Sequence, residues 1–227
     1  MKKLPLARRL LKVLHCEGIP WPGTSVYNLA SRSAIFQRHY DVVAEDILAH
    51  RREGSLLDIG TGPAWLLLKL HEKSPRLRLC GVDVSPSMVK KARSNIARAG
   101  LSDEIEIAEG NAKCLPFSDA SFDMVVSTGS VHHWKEPVAG LNELYRVLKD
   151  GGQSLLYDVA RDTPRSVVRE TAQRFGRFGT VLLWLHAFEE PFYSCEEFLS
   201  LAEASLFRKG QGRFVGGLYC LSLTRLP

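Results

Sequence analysis

Two glycines that follow a short apolar segment are the first candidate binding feature of this sequence. Leu57-Asp58-Ile59 leads directly into Gly60-Thr61-Gly62, and an apolar helix-like pattern follows. A glycine turn at this point lets a ligand approach the backbone closely, and it exposes amide groups at a helix N-terminus. A dinucleotide-binding G-x-G-x-x-G motif requires a further glycine at position 65, which is Trp65 here. The turn therefore predicts a ligand site that does not hold a pyrophosphate.

A carboxylate stands at the end of the next apolar segment. Asp83 follows residues 77–82 and lies 25 positions after Asp58. A carboxylate placed there can accept hydrogen bonds from both hydroxyls of a ribose. An isolated Asp before a helix can instead serve only to stabilise the helix N-terminus. The spacing from the glycine turn favours ribose binding.

Two adjacent histidines, His132 and His133, are the candidates for proton transfer. They lie within Gly129-Ser130-Val131-His132-His133-Trp134, after a further apolar segment. An imidazole titrates near neutral pH and can take a proton from a hydroxyl or an ammonium group. The alternative is that His133 only orients its loop. The acidity of the substrate decides between these interpretations, and the sequence does not give it.

The composition is that of an ordinary globular protein. The 227 residues are 45% hydrophobic and 24% charged, which excludes collagen-like, disordered and low-complexity chains. The five cysteines are far apart and form no C-x-x-C pair, so zinc ribbons and disulfide scaffolds are excluded and no metal site is predicted. No signal peptide and no membrane-spanning apolar stretch is recognised. Together with the odd cysteine count, this predicts a cytoplasmic protein.

The net charge of +5 comes from one end of the chain. Residues 1–12 contain five basic residues and no acidic residue, so the rest of the chain is neutral overall. Ala7, Leu10, Leu11 and Leu14 have helical spacing. This end is either a basic amphipathic helix that touches anionic lipid or nucleic acid, or a helix that packs on the domain. The second interpretation is favoured because surface Lys and Arg are common.

Strand-like and helix-like segments alternate from residue 55 onward. Five apolar segments are predicted as strands, at residues 55–59, 77–82, 104–109, 122–126 and 153–159. Helix patterns begin at Ala64, at Ser85-Pro86 and at Val138, and Ser194 with Glu197 forms a capping box for a later helix. Residues 212–215 and 218–223 flank Gly216-Gly217 as a tight hairpin. We therefore expect an α/β fold with a doubly wound, mostly parallel seven-stranded sheet and an antiparallel edge hairpin.

Two segments lie outside this alternation. Residues 1–53 are predicted as an N-terminal helical extension, and residues 54–227 as one domain with a helical lid at about 161–193 that has Thr163 as its N-cap. Both should cover the carboxyl ends of the strands, where open α/β sheets bind ligands. Their aromatic residues either line an apolar substrate pocket or pack the lid on the sheet: Phe36, His39, Tyr40, Phe175, Phe178, Trp184, Phe188, Phe192 and Tyr193.

Five motifs in order resemble a known family. They are LLDIGTGPA, GVDVSPSMVKKA, EGNAKCLPFSDASFDMVVS, VHHW and ELYRVLKDGG, and the resemblance covers residues 55–160. The series is similar to the class I S-adenosylmethionine-dependent methyltransferases, in the small-molecule branch that includes enzymes of ubiquinone and menaquinone biosynthesis. The resemblance implies a Rossmann-like methyltransferase fold, S-adenosylmethionine as the cofactor with S-adenosylhomocysteine as its product, and a small, partly apolar organic acceptor.

The resemblance also implies roles for individual residues. Gly60 and Gly62 would pass under the methionine part of the cofactor, Asp58 would hold this loop and reach the amino group, and Asp83 would bind the ribose. The other implied contacts are Val84 and Met88 on the adenine ring, Asn111 and Ala112 at the adenine edge, Ser127 through its carbonyl at the ammonium group, and Tyr27 over the carboxylate.

The sequence departs from the family pattern at two of these places. Asn111 stands where Asp is usual, so it can accept from the adenine amino group but adds no charge. Ala64 replaces a frequent third glycine, which is a change of one methyl group. Neither departure predicts a loss of cofactor binding.

Two other functions remain open from the sequence. Five arginines recur along one segment and would suit an RNA-binding or RNA-modifying protein: Arg161, Arg165, Arg169, Arg174 and Arg177. The neutral body of the chain and the lack of the signatures of base methylation argue against nucleic acid. The third hypothesis is a cofactor-binding partner subunit without catalysis. The acceptor and the oligomeric state are not predicted.

Overall fold

Residues 34–176 and 192–227 are described by a computed structural model of the chain. Several predictions lie outside these ranges. They concern the basic segment 2–12, the helices before residue 34, Tyr27, Arg177, and the lid aromatics Phe178, Trp184 and Phe188.

A seven-stranded sheet forms the centre of the described fold. Its strands are β1 (Gly54–Ile59), β2 (Leu77–Asp83), β3 (Ile105–Glu109), β4 (Phe122–Thr128), β5 (Leu148–Asp158), β6 (Gln211–Val215) and β7 (Leu218–Thr224). They lie in the order β3-β2-β1-β4-β5-β7-β6. The first five strands are parallel, whereas β7 pairs antiparallel with both β5 and β6. The expected fold class, with its antiparallel edge, is confirmed.

Helices cover both faces of the sheet. They are α1 (Ala34–His50), α2 (Trp65–Lys73), α3 (Pro86–Arg98), α4 (Pro137–Val147), α5 (Arg165–Phe175) and α6 (Cys195–Ala204), with a short 3-10 turn at Val131–His133. Successive strand residues point to opposite faces. Leu56 therefore packs in the apolar cluster that contains α1, α2 and α3, and Leu57 packs in the cluster that contains α4 and α6. Buried apolar runs of this kind are typical of parallel strands with helices on both sides.

Two helix starts test the predicted caps. The capping box of α6 is confirmed, because Ser194 Oγ accepts from the Glu197 amide and Glu197 Oε2 accepts from the Ser194 amide. The prediction that Thr163 caps α5 is wrong, since the N-cap is Pro164. The Thr163 hydroxyl instead donates to the Ala160 carbonyl at 2.6 Å, so it closes the preceding turn.

A partly buried polar cluster ties α1 to the sheet. Asp46 accepts two hydrogen bonds at 2.7 Å from the guanidinium of Arg213 on β6, and one at 2.6 Å from the Tyr157 hydroxyl on β5. The helix is thus held to two strands that follow it in the chain by more than 100 residues. The boundary at residue 53 and the extent of the lid stay predictions.

Candidate active site

The glycine turn lies at the carboxyl end of β1 and is fixed to β2. The amides of Gly60 and Thr61 both donate to the Val82 carbonyl, at 2.8 and 3.0 Å. Gly60 has a φ of +70°, and a Cβ at this position would lie 2.2 Å from Ser130 Oγ. No other residue fits here, because any side chain would meet Ser130 and strain the backbone.

The departure at Ala64 has a visible structural effect. Ala64 is the N-cap of α2 and adopts a left-handed conformation, with a φ of 65°. Its methyl group is completely buried in the core. A glycine would relieve the backbone strain, whereas alanine fills the space beneath the turn. The turn therefore keeps its shape despite the substitution.

Asp83 joins the glycine turn to the start of α3. One carboxylate oxygen accepts from the Gly62 amide and the other from the Ser85 amide, both at 2.9 Å. A carboxylate has about four acceptor sites, so this leaves capacity for ligand hydroxyls. The sequence indicated Asp83 but not its bond to Gly62, nor the bond at 2.9 Å from the Asn95 side chain to the Pro63 carbonyl.

Two buried carboxylates, Asp58 and Asp83, lie at this turn. Burial raises the pKa of Asp58 to about 7, and the nearby charge of Asp83 adds to the rise. Burial also raises the pKa of Asp83, although the amides of Ser85 and Gly62 oppose it. Within residues 34–176 and 192–227, neither carboxylate pairs with Lys, Arg or His. A ligand with positive charge and hydroxyl groups, such as S-adenosylmethionine, fits these residues.

The expected adenine side lies between β2 and β3. Met88 is buried, and Val84 and Ala112 are partly exposed. Asn111 Oδ1 accepts from the Lys113 amide at 3.0 Å, which shapes the loop after β3. This loop is also fixed to β2, because the Gly110 amide donates to the Asp83 carbonyl. The four residues are thus near the Asp83 end of the site, and their contacts to adenine stay predictions.

The end of β4 supplies Ser127 and Thr128. Ser127 is completely buried, and its hydroxyl donates to the Ile59 carbonyl at 2.8 Å, directly before the glycine turn. Thr128 Oγ1 is buried and has no hydrogen-bond partner among the residues that the structure describes. The expected role of the Ser127 carbonyl at an ammonium group stays a prediction.

His132 forms a buried pair with Asp158, which sequence reasoning missed. The side chains are only 3% and 1% exposed. His132 Nδ1 lies 2.9 Å from each Asp158 oxygen, and those oxygens also accept from the amides of His132 and Val159. The signal in the sequence was an Asp at the carboxyl end of β5, but no spacing rule linked it to position 132.

The other ring nitrogen of His132, Nε2, lacks such a hydrogen bond among the described residues. His132 Nε2 is buried and has no hydrogen-bond partner within the described ranges. The ring contacts both His133 and Phe192, with centroid distances of 3.9 and 4.2 Å. The two histidine rings are therefore in contact. They differ because His132 forms the buried hydrogen bond with Asp158.

Most described aromatics of the two extra segments pack against structural elements. His39 of α1 stacks on Phe175 of α5 with a centroid distance of 4.2 Å. Tyr193 contacts Phe198 of α6 edge-on. Phe192 differs, because it contacts the His132 ring. The aromatic acceptor pocket stays a prediction, for which Phe192 is a better candidate than His39, Phe175 or Tyr193.

The described residues form neither a metal-ligating cluster nor a membrane-spanning helix. In residues 34–176 and 192–227, no group of three His, Cys, Asp or Glu side chains could hold a metal ion. In the same ranges, no helix is both long and apolar enough to cross a bilayer.

Comparisons with known proteins agree with this geometry. Residues 57–156 match the family described as a methyltransferase domain. The chain is 36% identical over 101 residues to a rice (Oryza sativa subsp. japonica) 2-methyl-6-phytyl-1,4-hydroquinone methyltransferase, covering 44% of this chain and 29% of that one. It is 31% identical over 109 residues to a Bacteroides fragilis demethylmenaquinone methyltransferase, covering 48% and 44%. The chain thus spans less than half the length of either relative.

The fold is also found in solved structures. An S-adenosylmethionine-dependent methyltransferase from Aquifex aeolicus superposes with a TM-score of 0.68 at 20% identity, covering 89% of this chain and 98% of that one. This likeness shows the fold. The domain match over residues 57–156 agrees with the resemblance to methyltransferases, and the cofactor stays a prediction.

Proposed function

We propose that this chain, whose residues 57–156 belong to the methyltransferase domain family, transfers the methyl group of S-adenosylmethionine to a hydroquinone-like aromatic acceptor. The observation that carries the proposal is the pair of buried carboxylates, Asp58 and Asp83, beside the glycine turn without a counter-charge from the described chain. A cationic cofactor with ribose hydroxyls satisfies both groups.

The chain's own task is to bind and orient the reactants. S-adenosylmethionine supplies a methyl group that is already electrophilic on its sulfonium, so the protein chiefly has to align a nucleophile and exclude water. Gly60 and Gly62 would lie under the methionine part, Asp58 would face the amino group, and Asp83 would bind the ribose. The remaining proposed contacts are those of Tyr27, Val84, Met88, Asn111, Ala112 and Ser127.

The acceptor class is proposed from the relatives and from the site. Two relatives carry names that specify a hydroquinone and a menaquinone precursor. In this chain, an aromatic ring, Phe192, and two imidazoles lie together at the carboxyl edge of the sheet. Flat, partly apolar molecules suit such surroundings better than a nucleic acid does.

Calorimetric titration with S-adenosylmethionine tests the cofactor site. We expect the wild type to bind, and Asp83→Ala to bind about 10- to 100-fold more weakly, because hydrogen bonds to a charged group contribute roughly 1.5–3 kcal/mol. Asp103→Ala, at an exposed position before β3, is the matched control and should bind as the wild type does. Equal binding by Asp83→Ala, with an intact fold by circular dichroism, would contradict the assignment.

Transfer itself is tested with cofactor labelled in the methyl group. Menadiol (2-methyl-1,4-naphthohydroquinone), kept reduced under nitrogen, and a short RNA duplex are offered separately. Label in the hydroquinone alone supports the proposal. Label in the RNA alone would favour the RNA-modifying alternative, and cofactor binding without any transfer would favour the partner-subunit alternative.

We also propose a cytoplasmic location. The described cysteines Cys80, Cys114, Cys195 and Cys220 are all free thiols. Free thiols are typical of a reducing compartment. Fractionation of the source cells with an antibody to the chain would test this, and recovery with membranes would contradict it.

A further inference from the structure

We propose that His132 is the general base of the reaction, that Asp158 is its positioning residue, and that the methyl group goes to the oxygen of a ring hydroxyl that gives its proton to His132. This inference rests on the proposed function and specifies the atom that is methylated.

The contacts of Asp158 determine which nitrogen of His132 is available. Both carboxylate oxygens already act as acceptors, for the amides of His132 and Val159. Nδ1 lies 2.9 Å from both oxygens, so it is the natural donor of the pair. A neutral imidazole carries one N–H group, and Nε2 is then left with its lone pair.

The lone pair at Nε2 accepts no hydrogen bond from the described residues. A buried polar atom without a partner is costly, and such atoms are uncommon in folded proteins. Nε2 is buried, and no hydrogen-bond donor of residues 34–176 or 192–227 reaches it. A hydroxyl that donates to this nitrogen would remove the cost, which is the behaviour expected of a substrate contact.

The loop that carries His132 touches the cofactor turn. Ser130 Oγ occupies the space in which a Cβ of Gly60 would lie, and it accepts a hydrogen bond from Trp134 Nε1 at 3.1 Å. The amide of Gly129 donates to the Tyr157 carbonyl, next to Asp158. The histidine is thus held between the end of β5 and the glycine turn, where a methyl acceptor has to lie.

The step can be written with atoms and charges balanced. The O–H bond of the acceptor breaks and its proton moves to His132 Nε2. The electron pair left on oxygen forms the bond to the methyl carbon, and the pair of the carbon–sulfur bond stays on sulfur. The products are a methyl ether, S-adenosylhomocysteine and an imidazolium, which Asp158 stabilises until the proton passes to water.

Two other titratable groups lie beside the pair. The His133 ring contacts the His132 ring. Burial raises the pKa of the Tyr193 phenol, and the nearby charge of Asp158 adds to the rise. Tyr193 therefore stays neutral, and His133 is the neighbouring histidine whose NMR signal has to be distinguished.

Nitrogen NMR of ¹⁵N-histidine-labelled protein without cofactor tests the pair directly. We expect the His132 signal, identified by its loss in His132→Gln, to show a protonated Nδ1 and an unprotonated Nε2 at neutral pH. His71→Gln, on α2 and away from the site, is the matched control and should leave that signal unchanged. An Nε2 that carries the proton would overturn the proposal, whether or not the protein binds S-adenosylmethionine.

Kinetics then separate catalysis from a merely structural role. His132→Gln should bind S-adenosylmethionine normally yet lower kcat for menadiol by about 10²- to 10⁴-fold. Asp158→Asn should lower kcat, and the ¹⁵N spectrum of this variant should no longer show the proton of His132 held on Nδ1, because the acceptor of that proton is changed. Tetrafluorohydroquinone, which ionises more readily, should lose less rate in His132→Gln than menadiol does.

Failure of the proposed function and failure of the inference about His132 give different experimental results. Loss of S-adenosylmethionine binding by the wild type would overturn the proposed function. Normal cofactor binding with no transfer to either hydroquinone would also contradict the proposed function. Transfer at equal rates in wild type and His132→Gln, or transfer that places the methyl group on ring carbon, would overturn this inference alone.

Discussion

Buried ionisable side chains at the carboxyl edge of the sheet are the most informative residues of this protein. Asp58, Asp83 and the His132–Asp158 pair are nearly inaccessible to solvent. Proteins rarely bury such groups without hydrogen bonds or partners. Asp158 has its partner within the chain, whereas Asp58 lacks a described counter-charge. The asymmetry points to a cationic ligand at one end of the site and a proton donor at the other.

The raised pKa of Asp58 predicts proton release on cofactor binding. Because its pKa is about 7, this carboxyl is mostly protonated at pH 6 in the free protein. A cation beside it favours the ionised form, so binding should release a proton at pH 6 and much less at pH 8.5. Titration calorimetry in buffers with different ionisation enthalpies measures this release.

Asp58→Asn is the control for this prediction. The variant should retain only the part of the release that comes from Asp83, whose pKa is also raised. A binding enthalpy at pH 6 that is the same in every buffer would show that neither carboxyl changes its protonation.

The residues that the sequence could indicate are those with local signals. Gly60, Gly62 and Asp83 stand at fixed positions after strands, so their place at the edge followed from the order of elements. Asp158 and Phe192 could not be assigned in this way, because their contacts with His132 cross from β5 and from the residues before α6. Such contacts depend on how strands and loops meet in space, which periodicity does not encode.

Among the helices, the N-cap of α6 allows the contribution of one hydrogen bond to the free energy of unfolding to be measured. Ser194 accepts from the Glu197 amide, and its removal leaves a helix amide unsatisfied. Ser194→Ala should lower the free energy of unfolding by about 1 kcal/mol, within a range of roughly 0.5–2. Urea denaturation measures the change. Ser200→Ala, an exposed position in the same helix, should change it by less than about 0.5 kcal/mol.

The contact between α1 and α5 predicts a loss of stability in acid. Burial lowers the pKa of His39 to about 4, and the charge of Arg174 adds to this. Below pH 6.5 the unfolded chain binds a proton that the folded protein does not. The free energy of unfolding should therefore fall as pH drops from 6.5 to 4, by at most roughly 1.4 kcal/mol per pH unit.

His39→Phe keeps a ring on Phe175 but removes the titrating group. Its unfolding free energy should fall less steeply over the same pH range than that of the wild type, whereas His71→Phe should follow the wild type. Parallel curves for His39→Phe and wild type would show that His39 does not control this dependence.

The element boundaries show where local rules suffice. Ser194 and Glu197 satisfy each other within one turn, so the motif and the structure agree. At Thr163 two local solutions compete, and the hydroxyl closes a turn with Ala160 instead of capping α5. Similarly, β5 begins at Leu148, earlier than the start predicted at residue 153, because Phe122 of β4 pairs with Leu148.

In the whole molecule, Asp46 connects parts of the chain that are 111 and 167 residues apart. Burial opposes ionisation of this carboxyl, but the hydrogen bonds from Arg213 and Tyr157 outweigh it and lower the pKa of Asp46. A carboxyl whose pKa is lowered by folding stabilises the folded protein at pH values above its pKa in the unfolded chain, which is near 3.8. This stabilisation is lost as the pH falls below that value. The cluster is therefore expected to hold α1 on the sheet at neutral pH.

Asp46→Asn should destabilise the protein by about 1–2 kcal/mol at pH 7, the lower part of the range for charged hydrogen bonds because Arg213 is partly exposed. The difference from wild type should shrink at pH 3. Urea denaturation at both pH values measures it. Asp150→Asn, an exposed partner of Arg225, should have little effect at either pH.

The order of strands has a consequence for synthesis in the cell. β7 follows β6 along the chain, yet it lies between β5 and β6 in the sheet. Until residues 218–224 have been made, β5 has an open edge and β6 has no neighbour to pair with. Open strand edges promote association between incomplete chains. A chain whose synthesis stops shortly before these residues is thus expected to expose the edge of β5 to other chains.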